Sequence, residues 1–260
     1  MNRITLKFQE YRTSQKNAVI PYITPEFPIK GVTVPLILAL EKAGAAMIEI
    51  GIPFSDPLAD GPTIQHSSEI AIKNGATLRR VLEVVKEVRT KTEIPLILMG
   101  YYNPILNYGV EKFLVDANSS GVDGLIIPDL PPEESEEFRL LCKKNGLSNI
   151  FLIAPTSSDG RIRYIDELST DFTYCVSMTG VTGSRNSFGG NFDEFLTRVK
   201  MNTKKPFVVG FGIKSKEQII QISKMANGAV VGSALLQAIA DKRTIDEVTA
   251  TASQFLTSLV

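Results

Sequence analysis

Met47-Ile48-Glu49-Ile50-Gly51-Ile52-Pro53-Phe54-Ser55-Asp56-Pro57-Leu58-Ala59-Asp60-Gly61-Pro62 is the stretch on which the reading of this chain turns. It opens with a short apolar run that holds a single carboxylate, Glu49, the pattern of a buried strand. Pro53, Pro57, Gly61 and Pro62 then break any regular element and define a loop. A helical pattern follows from Pro62, so the stretch is one strand–loop–helix unit.

The same unit recurs along the chain. Strand-like runs fall at 18–24, 47–52, 95–101, 124–129, 149–154, 172–177, 206–212 and 228–232. They are continuously apolar rather than alternating, as parallel strands covered by helices on their faces require. Helical patterns lie between them at 34–43, 62–90, 110–119, 132–144, 160–168, 192–199, 216–225 and 244–259, and the segment before Ala18 reads as an extra leading helix. Glu111, Glu133, Glu134, Asp193 and Glu194 stand near helix starts, where the helix dipole favours acids. Eight such units predict an α/β fold, a (β/α)8 TIM barrel with an extra N-terminal helix, as one domain over 1–260. A doubly wound open sheet is the competitor, but no dinucleotide fingerprint supports it.

Composition narrows the function classes. The formal charge is zero and no basic block stands out, which argues against a nucleic-acid partner. No apolar run is long enough to span a bilayer, and the N-terminal residues lack the apolar segment of a signal peptide. Cys142 and Cys175 match no metal or redox spacing and read as small core residues. His66 is the only histidine, so a Ser-His-Asp triad or a multi-histidine metal site is nearly excluded. It reads as a surface residue or one supporting the site from behind.

In a barrel of this type, chemistry belongs at the C-terminal ends of the strands. Glu49 lies near the end of strand 2 and Asp60 in the loop beyond it. Two carboxylates at one pocket mouth can divide acid and base work, since burial raises one pKa while hydrogen bonds keep the other group ionised. The plainer alternative is that Glu49 caps the strand and Asp60 caps the next helix. Three small-residue clusters follow the last three strands: 179–186, Gly210-Phe211-Gly212-Ile213 and Val231-Gly232-Ser233-Ala234. Glycine lets backbone N–H groups approach an anion, and the loops after strands 7 and 8 are the usual phosphate site of this fold. Lys214 and Arg185 read as solvent-facing, so recognition would rest on neutral backbone donors.

With these residues in view, the chain resembles the tryptophan synthase alpha subunit family over nearly its whole length. The carriers are EIGIPFSDPLADGPTIQ (Glu49 to Gln65), IPDLPPEES (Ile127 to Ser135), GVTG (Gly180 to Gly183), GFGI (Gly210 to Ile213) and VGSA (Val231 to Ala234), in order and spacing. The resemblance implies a lyase of aromatic amino-acid biosynthesis that cleaves indole-3-glycerol phosphate to indole and glyceraldehyde 3-phosphate. It implies no cofactor in this chain. It also implies a PLP-dependent beta subunit as partner in an αββα heterotetramer, with indole passed between them for tryptophan biosynthesis. The implied location is the cytoplasm, or the plastid stroma for an organelle-encoded copy.

Carried over by position, Glu49 matches the general acid/base, Asp60 the carboxylate that bonds the indole N–H, and Tyr174 a tyrosine near the reacting carbons. Thr182 and Gly183 match the loop after strand 6, with Gly183 also a phosphate donor. Phe211 matches an apolar wall. Gly212, Gly232 and Ser233 match phosphate contacts. Tyr22, Met99, Tyr101, Ile126 and Asp129 fall where the family lines its pocket or orders its loops. One departure stands out. After strand 1 the family commonly has Thr, a small residue, then Gly-Asp-Pro, whereas this chain has Thr24-Pro25-Glu26-Phe27-Pro28. The hydrogen bonds of that loop must therefore be rearranged.

Three functional readings remain open at this level. They are a lyase subunit of a two-enzyme complex, a stand-alone lyase that releases indole, and a phosphate-binding barrel kept only as an allosteric partner.

Overall fold

A computed structural model describes residues 2–14, 16–176, 190–210 and 212–260. The strands are β1 (Ala18–Ile23), β2 (Ile48–Gly51), β3 (Leu96–Met99), β4 (Gly124–Ile126), β5 (Ser148–Ile150), β6 (Leu152–Ile153), β7 (Thr173–Val176), β8 (Phe207–Gly210) and β9 (Gly228–Val231). All pair in parallel, in the order β5-β4-β3-β2-β1-β9-β8-β7-β6. The two ends of that order, β5 and β6, are separated only by Phe151, so the ring closes and the architecture is the expected TIM barrel.

The expected fifth strand, 149–154, is thus broken at Phe151. The cause is local: the Phe151 N–H donates to the Ser169 hydroxyl at 3.1 Å instead of to a ladder carbonyl. Its carbonyl still accepts from the Tyr174 N–H at 3.1 Å and carries the ring onward.

The expected helix over 62–90 is two helices, Pro62–Lys73 and Leu78–Arg89. Asn74 caps the first, Gly75 follows at φ +92°, and the Thr77 hydroxyl accepts from the Arg80 N–H at 3.1 Å to begin the second. This is ordinary stop-and-start chemistry for helices. The first helix lies along the C-terminal rim of the barrel. There Gln237, on the short helix Ser233–Ile239, donates to Thr63 at 3.0 Å. That helix and Tyr102–Tyr108 have no counterpart in the sequence reading, because each is only seven residues long.

The opposite end is sealed by the expected leading helix, Arg3–Thr13. The Asn2 side chain caps the Ile4 N–H at 2.9 Å and donates to the Asp123 carbonyl at 2.9 Å and the Ser148 hydroxyl at 3.0 Å. Asp123 itself accepts from Arg3 at 3.0 Å, Arg89 at 2.9 Å and the Leu96 N–H at 2.8 Å. Ile4 is fully buried, and a Cβ on Gly124 would sit 3.0 Å from its Cδ1, so it fills the barrel floor. Among the described residues no helix is long and apolar enough to cross a membrane.

Ile4→Ala is expected to destabilise the fold by about 2–4 kcal/mol, the cost of a buried large-to-small change. Urea unfolding reads this directly. A loss below about 0.5 kcal/mol, typical of an exposed site, would mean that the leading helix does not plug the barrel.

Candidate active site

Glu49 sits in the middle of β2, paired in register with Tyr22 on one side and Ile97 on the other. It is 1% exposed, and its Oε1 has no hydrogen-bond partner among the described residues. A carboxylate so placed loses its hydration, which penalises the charged form. Burial first, and the negative charge of Asp60 second, push its pKa up to about 8. Glu49 is therefore a neutral acid at pH 7.

Asp60 ends the loop after β2, immediately before Gly61 and the helix at Pro62. Burial pushes its pKa up to about 6, while a hydrogen bond from the Tyr101 hydroxyl opposes that rise. Tyr101 is pinned in turn: its hydroxyl oxygen accepts from the Ala59 N–H at 2.8 Å, and its ring packs on Phe54 with centroids 5.4 Å apart. The Gln65 side chain donates to the Asp60 carbonyl at 2.8 Å. Asp60 is thus the ionised member of the pair at pH 7. Each carboxyl has the state that divided acid and base work requires, and the mutual influence places them in one electrostatic environment.

Two tyrosines flank Glu49. Tyr22 is buried, with its phenol pushed well above the usual range by burial, then by Asp60 and Glu49. Tyr174 is buried and shifted the same way by burial, then by Glu49 and Tyr22. Both stay protonated, so neither can act as a phenolate base. Glycine makes their placement possible: a Cβ on Gly51 would overlap the Tyr22 hydroxyl, and one on Gly210 would overlap the Tyr174 hydroxyl. The sequence reading places Tyr101 in the pocket lining, and the structure adds that it holds Asp60. Ser67 and Thr24, hydroxyl to hydroxyl at 2.7 Å behind Tyr22, were not singled out. A threonine and a serine lack any pattern that would mark them.

The remaining expected positions divide clearly. Met99 and Ile126 are neighbours in register at the ends of β3 and β4, half-buried and buried. Asp129 is exposed and accepts from the Tyr102 N–H at 2.9 Å, which orders the start of a helix. Gly232 precedes the helix at Ser233, and a Cβ there would come within 3.2 Å of the Tyr22 Cβ. Gly212 has φ +73°, a backbone that favours glycine. Thr182, Gly183 and Phe211 lie outside the described residues. Lys214 is exposed, as expected, and so is His66. Both cysteines are buried and unpaired.

The loop after β1 is rearranged as its sequence requires. Glu26 takes φ +61°, and the Phe27–Pro28 bond is cis. Left-handed backbone costs a non-glycine residue about 1–2 kcal/mol, and Glu26 is held there by a buried carboxylate–Arg80 hydrogen bond of 3.1 Å.

The folded protein retains a proton on Glu49 that the unfolded chain releases between about pH 4.5 and 8. Stability therefore falls as pH rises through that window. Glu49→Gln cannot ionise. It is expected to match the wild type at about pH 4 and to exceed its stability at pH 8 by at least about 1.4 kcal/mol, one pKa unit's worth. Urea unfolding at the two pH values checks this, and a gap that does not widen with pH would show that Glu49 ionises freely.

Comparison with known proteins agrees with this geometry. The family model described as tryptophan synthase alpha chain matches residues 8–258. The tryptophan synthase alpha chain of Chlorobium chlorochromatii (strain CaD3) is 49% identical, with 99% of this chain and 98% of that relative covered. That of Geotalea uraniireducens (strain Rf4) is also 49% identical, over 91% of this chain and 89% of the relative. Among solved structures, tryptophan synthase subunit alpha from Legionella pneumophila str. Paris superposes with a TM-score of 0.91 at 36% identity, covering 100% and 97% of the two chains. A chain from the tryptophan synthase a2b2 complex of Pyrococcus furiosus gives 0.88 at 42% identity, covering 93% and 97%. With the family model spanning nearly the whole sequence and close relatives matched end to end, the chain belongs to the tryptophan synthase alpha chain family.

Proposed function

We propose that the chain cleaves indole-3-glycerol phosphate to indole and glyceraldehyde 3-phosphate, with Glu49 and Asp60 carrying the chemistry. The observation that carries this reading is a carboxyl, Glu49, buried in β2 with an unpartnered oxygen and raised in pKa by burial and by the charge of Asp60, itself hydrogen-bonded by Tyr101.

Indole is a poor carbanion, so the carbon–carbon bond does not break until C3 of the ring is protonated. Glu49, neutral, gives its proton to C3, and positive charge develops on the ring nitrogen. Asp60, ionised, accepts a hydrogen bond from that N–H and stabilises the charge. Glu49, now a carboxylate, takes the proton of the hydroxyl on the carbon attached to C3. The C–C bond breaks, its electrons return to the ring, and the former carbinol becomes the aldehyde. Glu49 ends protonated again, so the proton account closes within the site. A group acting as acid and then base works best with a pKa near the working pH, and each such transfer typically contributes about a hundred- to ten-thousand-fold.

Tyr22 and Tyr174 flank Glu49 and shape the ring pocket, with Met99, Ile126 and Phe211 as apolar lining. Gly183, Gly212, Gly232 and Ser233 hold the phosphate through neutral donors. Anchoring the remote end in this way converts binding into orientation of the reacting bond. The loop 53–60 closes over the substrate and excludes water, and Thr182 is assigned to the substrate pocket by its match to the family's pattern. Asp129 orders the neighbouring helix start. The reaction as written needs no cofactor or metal. The partner is a PLP-dependent beta subunit in an αββα assembly that receives the indole, and the setting is cytoplasmic. All of this is the work of one barrel domain over 1–260.

Indole release from indole-3-glycerol phosphate, with and without a beta subunit, tests the reading. The wild type is expected to turn over slowly alone and much faster with the partner. Its kcat/KM should be bell-shaped in pH, with limbs near 6 and 8 from Asp60 and Glu49. Glu49→Gln and Asp60→Asn should each lose at least about a hundredfold in kcat. Wild-type turnover in a folded Glu49→Gln variant would remove Glu49 from its role. Separately, Gly232→Val should abolish inhibition by glycerol phosphate analogues, and unchanged inhibition would move the phosphate elsewhere.

A further inference from the structure

Glu26 is the one non-glycine residue with positive φ among the described residues. It is 1% exposed, yet all of its polar groups are partnered. Its N–H donates to the Thr33 hydroxyl at 2.8 Å, and its carbonyl accepts from the Asn74 amide at 2.8 Å. One carboxylate oxygen accepts from Arg80 Nε at 3.1 Å and the other from the Gly31 N–H. A buried charge that is fully hydrogen-bonded fixes its surroundings, because any displacement leaves it uncompensated.

These bonds reach three helices. Thr33 opens Thr33–Lys42, Arg80 lies in the first turn of Leu78–Arg89, and Asn74 ends Pro62–Lys73. The last is the helix that begins just after Asp60. It is tied to the β1 loop at two places. Asn74 donates to the Glu26 carbonyl and to the Pro28 carbonyl at 3.2 Å, and Ser67 meets the Thr24 hydroxyl at 2.7 Å. Thr24 also hydrogen-bonds the hydroxyl of Tyr22, the register neighbour of Glu49. The loop therefore reaches towards both halves of the carboxylate pair: the helix that follows Asp60 and the tyrosine beside Glu49.

We propose that Glu26 is a positioning residue for the Glu49–Asp60 pair, its buried hydrogen bonds setting the β1 loop that holds the Asp60 helix and Tyr22 in register. The inference rests on the cleavage reading given above. Glu26 touches no substrate and acts through Asn74, Thr24 and Ser67. The groups assigned to phosphate follow β7, β8 and β9 and bond neither Glu26 nor Asn74; they meet this set only at its edge, through the Gln237–Thr63 hydrogen bond and the packing of Gly232 on Tyr22, so loss of Glu26 should weaken chemistry more than phosphate binding.

The test uses the full chain with its beta partner. Glu26→Gly keeps a residue suited to the left-handed backbone and removes only the carboxylate. Asn74→Ala removes only the tie to the Asp60 helix, and it carries the same expectation if Glu26→Gly does not fold. Both are expected to lower kcat by about ten- to a hundredfold, the scale of a small misplacement of reacting groups. Inhibition by glycerol phosphate should change far less than kcat, and the acidic limb of the kcat/KM profile should move upward as Asp60 loosens from Tyr101. Glu26→Gln, which keeps an acceptor oxygen, should retain more activity than Glu26→Gly. Folded variants with lowered melting temperatures but wild-type kcat, KM and pH profile would overturn the proposal and leave Glu26 a stabilising residue only. A wild type that releases no indole would overturn the cleavage reading itself, and with it this inference.

Discussion

The burial of one carboxyl group, Glu49, inside an apolar strand is the constraint on which the site depends. A lone glutamate there would simply stay protonated and inert. Asp60 nearby makes the difference, because the two groups cannot both be charged without repulsion; the deeper burial of Glu49, helped by the hydrogen bond from Tyr101 to Asp60, leaves Asp60 the one that ionises. The result is a proton donor and a charge acceptor in one site. The arrangement has a stability cost, since a folded state that must keep Glu49 neutral is weakened as pH rises. Function and fold pull against each other at this residue.

The barrel makes that arrangement possible by separating its two ends. At the N-terminal end the leading helix, Ile4 and the Asp123 cluster close the floor with packing and satisfied charges. At the C-terminal end Gly51 and Gly210 leave room for two phenols beside Glu49. Side chains that would crowd a sealed barrel end instead form the wall of a site. The rim helix Pro62–Lys73 then brings Asp60 over the strand end, and its own placement depends on the loop after β1.

Much of this was legible in the sequence. Continuous apolar runs with helices between them specified the parallel barrel, and the Pro/Gly/Asp loop after Glu49 marked the catalytic end. The break at Phe151 was not legible, because it depends on Ser169 reaching across from another element to take one N–H. The Asn74-Gly75-Ala76-Thr77 break carried clear stop and start signals, but the apolar period on both sides masked them. The pairing of Asp60 with Tyr101 was out of reach as well, since it joins two loops distant in sequence through a single hydroxyl. Glu26 was visible only as a departure; its buried hydrogen bonds to Arg80 and Gly31 follow from a turn geometry that composition does not encode.

The protonation state of Glu49 in the ligand-free protein tests the account most directly. Carboxyl-carbon NMR titration of selectively labelled protein would follow it, with Asp60→Asn as the comparison. The account predicts a Glu49 carboxyl still protonated at pH 7, titrating near 8, and titrating lower once the Asp60 charge is removed. A Glu49 that ionises near pH 4.5, unaffected by Asp60→Asn, would contradict it.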